Sequence, residues 1–252
     1  MRKKTASTKP RRPRGPGRPS AAGGIDQRAH LLDAAIALFS ERGIAATTLR
    51  AIAQKGGVTP ALLHYYFRGK DTFVDTLLAE RIAPFVAVSV APLLAPLPSP
   101  RATLRKFLET HMRNLAANPW MPRLMVREVL SEGGALRAHM HAQFAAVISP
   151  KTQMLIEAAQ RKGEIRADLS PVLIGISLIS LAVFPFAAAP LWHEVAMPLF
   201  QGMPEHVLKA MRAQQTAMRS AGYGMPSWDM VIEHTLTLFD SMLEKPRAKS
   251  KA

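Results

Sequence analysis

Residues 48–67 read Thr-Leu-Arg-Ala-Ile-Ala-Gln-Lys-Gly-Gly-Val-Thr-Pro-Ala-Leu-Leu-His-Tyr-Tyr-Phe, and their spacing suits contact with a nucleic-acid duplex. Thr48 and Thr59 each precede a short apolar-periodic run. Threonine is an N-cap type, because its hydroxyl satisfies one of the N–H groups left unpaired at a helix start. Pro60 follows at N1, where a missing donor costs nothing. Gly56-Gly57 makes the turn between the two runs. Leu63 and Phe67, four residues apart, must share the inner face of the second helix. Ala61, Leu62, His64, Tyr65 and Tyr66 are then left toward the outside or the edges. Hydrogen-bonding aromatics on a short helix behind a tight turn fit the major groove of DNA. The competing reading of Tyr65 and Tyr66 is packing of this head against the rest of the chain.

These helices need a support. Leu31, Ala34, Ala35, Leu38 and Phe39 fall at i, i+3, i+4, i+7 and i+8, which predicts one buried stripe on a helix over Asp26–Arg42, ended by Gly43. Leu49, Ile52 and Ala53 form the inner face of the helix capped by Thr48, and Val58 and Leu63 are placed for a hydrophobic staple. Gly69 precedes a fourth helix from Lys70, with Asp71 in its first turn where the helix dipole favours an acid. Pro84 is expected to kink or end that helix, and the Pro-rich segment 92–100 to separate head from body.

The net charge of +15 is unevenly distributed. Residues 1–20 hold eight Lys/Arg and residues 245–252 four more, with no acid in either stretch; the middle keeps 21 basic against 18 acidic residues. Such blocks stay solvated and bind polyanions, so 1–24 and 245–252 are expected to be disordered basic tails. Gly17-Arg18-Pro19 resembles the core of an AT-hook, whose arginine enters a narrow minor groove; a generic arm placing Arg14 and Arg18 on phosphates is the alternative. Without Cys, disulfides and thiolate metal sites are excluded, and no apolar stretch backs the N-terminal charges as a secretory signal would require.

The body reads as helices near 100–117, 120–132, 135–162, 170–188 and 228–244, with a further surface helix over 204–220 and no internal repeat. Ser170–Trp192 carries no charge and is long enough to span a bilayer. Its serines, Gly175, Pro185 and Pro190 favour a buried interface helix instead. Val231, Thr235, Leu238, Phe239 and Met242 share a face of the last helix, so 170–188 with 228–244 is the expected homodimer interface, non-dimeric core being the alternative.

From Ala29 to Phe73 the chain resembles the tetracycline-repressor (TetR) family of bacterial transcription regulators. The resemblance rests on Leu31-Leu32-Asp33-Ala34-Ala35, Leu38-Phe39, Gly43, Thr48, Ile52-Ala53, Gly57-Val58-Thr59, Leu63-His64-Tyr65-Tyr66-Phe67 and Lys70-Asp71. It implies an all-α protein: a three-helix DNA-binding head over 25–84, joined by helix 4 to a helical effector-binding and dimerisation body over 85–244. Carried over by position, Ala61 and Leu62 approach base edges, and His64, Tyr65 and Tyr66 contact phosphates or bases. Thr48, Arg50 and Lys70 hold the DNA backbone, and Thr59 caps the groove helix. Two departures stand out. Gly56 replaces a usual alanine and should loosen the end of helix 2, and His64 replaces the commoner tyrosine.

The same resemblance implies a dimeric regulator, most simply a repressor, released from a palindromic site on double-stranded DNA by a small molecule, cytoplasmic and nucleoid-associated when bound to DNA. Soft apolar residues suggest a hydrophobic effector, with Met112, Trp120, Met125, Arg127, Phe144 and Phe184 as candidate pocket residues, though ordinary core is the competing role for each apolar one. His111, Glu128, His139 and His141 are further polar candidates. No cofactor or metal site is expected, since His139 and His141 do not share a helix face. No nucleophile elbow, phosphate-binding glycine loop or metal-ligand cluster supports an enzyme.

Overall fold

The computed structural model describes residues 26–143, 146, 148–191 and 227–243. All regular structure among them is helical. The head comprises α1 (Gln27–Arg42), α2 (Leu49–Lys55) and α3 (Pro60–Tyr66). A connector follows: α4 (Lys70–Leu77), a π-wound turn (Leu78–Ile82) and α5 (Ala83–Leu94). The body holds α6 (Pro100–Ala117), α7 (Trp120–Met125) with a second π-wound turn (Val126–Leu130), α8 (Arg137–Gln143), α9 (Ser149–Arg161), α10 (Pro171–Ala187) and α11 (Trp228–Leu243). The basic tails with Arg14 and Arg18, Phe144, and the helix expected over 204–220 lie outside the described residues. The run predicted over 135–162 contains α8 and α9, and its middle is described only in part.

Local chemistry explains the head. Asp26 caps α1, its carboxylate accepting from the N–H groups of Arg28 and Ala29 at 3.1 and 3.2 Å. The α1 stripe is buried as its period demands, and it meets Ile52, Leu63, Phe67 and Phe73 in one core. Phe73 is edge-on to Phe39 at 6.4 Å and tilted over Phe67 at 4.0 Å between ring centroids. The turn after α2 requires Gly57, whose φ is +65°. At Gly56 a Cβ would lie 2.6 Å from a Leu31 methyl. The missing side chain leaves space that the fully buried Leu31 takes.

Pro84 does not end the fourth helix. Ala83 donates to the carbonyl of Leu78, an i−5 bond, so the π-wound turn absorbs the region around the proline's missing donor and the rod runs on to Leu94. The expected domain boundary at 84/85 thus falls inside a continuous rod. This run, Lys70–Leu94, is also the helix among the described residues long and apolar enough to cross a bilayer, with mean hydropathy 1.7; α10 is shorter. It lies between the head and α6 as the connector.

α6 is the centre of the body, packed by α5, α9, α10 and α11. Ser99 caps it at 3.1 Å, and Glu164 accepts from Ser99 Oγ at 2.8 Å and from the Arg101 N–H at 3.0 Å. The Arg101 N–H is the main reason that carboxyl lies below its ordinary range. Asp240 of α11 accepts from Arg105 Nε at 3.0 Å. One buried polar cluster joins α5 to α6. Asn114 donates to the Phe85 carbonyl at 2.8 Å and to Ser89 Oγ at 2.9 Å, and the same hydroxyl is hydrogen-bonded to His111 Nδ1, 3.0 Å away.

Burial pushes the His111 imidazolium down to a pKa of about 4 from 6.5. The unfolded chain therefore binds a proton that the folded chain refuses between those values. Stability is expected to fall as pH drops from 6.5 toward 4, by up to about 3 kcal/mol from this group. Urea unfolding of the parent and a His111→Gln variant across this pH range checks this; the variant should lose that part of the slope.

Candidate nucleic-acid interface

The helix pair α2–α3 is set by its two caps. Thr48 Oγ1 accepts from the Ala51 N–H at 3.2 Å and Thr59 Oγ1 from the Leu62 N–H at 3.3 Å, with Pro60 at N1. Leu63 and Phe67 are fully buried, which turns the opposite face of α3 outward. Ala61 and His64 are exposed on it, with Leu62 at 38% and Tyr65 at 80% of full exposure. Tyr66 is half-buried against the head core and meets Tyr65 edge-on at 5.3 Å. It serves as the wall that orients Tyr65, so only one of the two tyrosines stands fully in solvent.

Basic side chains surround this face. Thr48 and Arg50 are exposed on α2. Lys70, at the start of α4, donates from Nζ to the Ala45 carbonyl at 2.9 Å, so a phosphate there would compete with a neutral oxygen. Arg68, exposed just after α3, is not among the residues that the helix-pair motif singles out, and neither are Arg42 and Lys55; Lys55 lies 3.7 Å from Glu41. A signal for them is present in the charge pattern: between Glu41 and Asp71 there is no acid but five Lys/Arg. Exposed Arg50 and Arg68, with Lys70 partly open, stand beside solvent-facing Tyr and His and form a surface for a polyanion.

Among the described residues, those expected to line an effector pocket are not brought together. Met112 is fully buried core, Met125 half-buried against it, and Arg127 exposed. Trp120 lines a groove of about 580 Å³ at the junction of α1, α5 and α6, with Asp33, Arg81, Phe85 and Asn114. Phe184 is 58% exposed and lines a separate groove of about 550 Å³ between α10 and α11. Periodicity marked them as apolar, but neighbours far apart in sequence decide which cavity, if any, each one meets. Among the described residues no group of three His, Asp or Glu could hold a metal ion.

Comparison with known proteins agrees with this architecture. Residues 31–77 match the family described as bacterial regulatory proteins, tetR family, and residues 100–201 match the tetracyclin repressor-like C-terminal domain. The chain is 42% identical over 57 residues to the HTH-type transcriptional repressor KstR2 of Rhodococcus jostii, a stretch covering 23% of this chain and 28% of that protein. It thus matches little more than a quarter of that relative's length. The structure of the ketosteroid transcriptional regulator KstR2 of Mycobacterium tuberculosis superposes with a TM-score of 0.64 at 18% identity, covering 90% of this chain and all of the other. FadR of Bacillus subtilis, solved in complex with stearoyl-CoA, gives 0.55 at 15% identity, covering 86% and 99%.

The charge of this surface sets a measurable expectation. Removing Arg50 and Arg68 together (Arg50→Ala, Arg68→Ala) should flatten the dependence of log K on log salt for any duplex, by about 0.9 for each phosphate no longer neutralised. Fluorescence anisotropy across a salt series, with thermal unfolding as the folding control, reads it.

Proposed function

The chain belongs to the tetR family of bacterial regulatory proteins, and from that membership we propose that it is a homodimeric repressor that binds a palindromic operator and is released by a small apolar effector. The outward face of α3 carries the reading. Leu62, His64 and Tyr65 face solvent on a capped helix whose inner residues leave it no other rotation. Thr48, Arg50 and Lys70 hold the DNA backbone on either side, and most of these contacts position the head rather than read bases.

Dimerisation through α10 and α11 is supported by apolar side chains left in solvent. Val172, Leu173 and Ile176 of α10 are more than half exposed, and Met230 and Met242 of α11 are similarly open. A second copy would cover them, and two-fold symmetry then makes the DNA site palindromic, with heads about 34–36 Å apart. An apolar effector is supported by the paucity of buried charge in the body and by the ligand named for the Bacillus regulator. It would act by binding one spacing of the heads better than the other.

Selection from random duplex DNA with the full chain tests this reading. Two inverted half-sites are expected, and Tyr65→Ala should weaken binding to the selected site at least tenfold without changing thermal stability. Retained affinity in Tyr65→Ala removes α3 as the reading helix. Ile176→Glu should give a monomer by light scattering and lose the preference for paired half-sites; a variant that remains dimeric places the interface elsewhere.

A further inference from the structure

Glu128 is only 5% exposed, yet among the described residues no cation pairs with it. Its two carboxylate oxygens are taken by backbone N–H groups from opposite sides. Oε1 accepts from Ile44 at 2.8 Å, in the loop between α1 and α2, and Oε2 accepts from Ala135 at 3.0 Å, in the body. Its own carbonyl accepts from the Leu136 N–H at 3.1 Å. Room is left for it on both sides by glycine. A Cβ on Gly43 would stand 3.0 Å from Oε1, and one on Gly134 would collide with the Glu128 backbone at 2.3 Å.

A buried carboxylate is costly unless its hydrogen bonds are satisfied, and here both partners are main chain, so the bonds report position rather than side-chain identity. Ile44 opens the short loop that leads to Thr48 and thus to α2 and α3. Besides a long bond from Ser40 Oγ to the Trp120 carbonyl of α7 at 3.4 Å, the other polar ties of α1 are of a different kind. Arg28 to Glu80, and Arg81 to Asp33 at 3.1 Å, are exposed ion pairs to the connector, a class worth little in water. Glu128 instead lies in the π-wound turn that continues α7, the helix packed on α1. Its bond to Ile44 therefore joins that turn directly to the loop that carries the DNA-facing helices.

We propose that Glu128 is a positioning residue for operator binding: it sets the angle of the head on the body, and hence the separation of the two heads, without touching DNA. The proposal rests on the two-headed reading above, so its test separates the two.

Binding of the full chain is compared on a duplex with one half-site, on the selected operator, and on operators with the half-site spacing changed by one or two base pairs. Glu128→Gln keeps one acceptor and should preserve the fold; Glu128→Ala keeps none. Both should hold single-half-site affinity within about twofold of the parent. On the operator the loss should reach at least tenfold for Ala and less for Gln, with the spacing preference flattened, and the Ile44 and Ala135 amides should exchange faster. A parallel fall on all duplexes together with thermal stability, or an unchanged operator affinity, overturns the proposal. Tyr65→Ala, measured alongside, should weaken every duplex equally. A parent chain that binds one and two half-sites alike removes the two-headed reading and this proposal with it.

Discussion

The rotation of α3 about its own axis is decided by two side chains. Leu63 and Phe67 lie one helical turn apart, are fully buried, and join Phe39 and Phe73 in the head core. Turning the helix by even one residue position would bring Leu63 toward water and drive His64 inward, at a cost of several kcal/mol in forfeited burial and unpaired polar groups. That constraint leaves Ala61, Leu62, His64 and Tyr65 in solvent. The two threonine caps then fix where each helix starts, and Gly57 fixes the turn between them. The exposed face is a consequence of what the opposite face must bury.

The connection from head to body follows a second constraint. A rod that must run from Lys70 to Leu94 contains Pro84, which removes one donor. The chain keeps the rod by widening one turn, shifting Ala83 to an i−5 partner. The same turn supplies Glu80 and Arg81 to α1. A second widened turn carries Glu128. These two irregular turns sit where the head meets the rest of the molecule, consistent with the tendency of π-wound turns to occur at functional junctions.

The grooves divide by chemistry. That between α10 and α11 is almost wholly apolar and lies on the surface proposed for a second copy, whereas the junction groove mixes Trp120 and Phe85 with Asn114, Asp33 and Arg81. Beside the latter, the Ser89–His111–Asn114 cluster shows how polar groups are accommodated inside the body: they hydrogen-bond one another, and the imidazole stays neutral because burial disfavours its cation.

Much of the head was legible in the residues alone. Caps, the glycine turn, the α1 stripe and the partition of α3 into inner and outer faces are all set within four residues of each position, and a helix has one period on which to read them. The all-helical class and the apolar helix 171–187 were legible for the same reason. What only the tertiary structure decided depends on residues far apart in the chain. Gly56 yields its space to Leu31, Tyr66 turns half inward, and Lys70 bonds Ala45. Met112 belongs to the core while Phe184 faces outward. The Glu128 tie joins positions 84 residues apart. Periodicity says which side of a helix is apolar, but which partner arrives there is settled by packing among elements that local spacing does not encode.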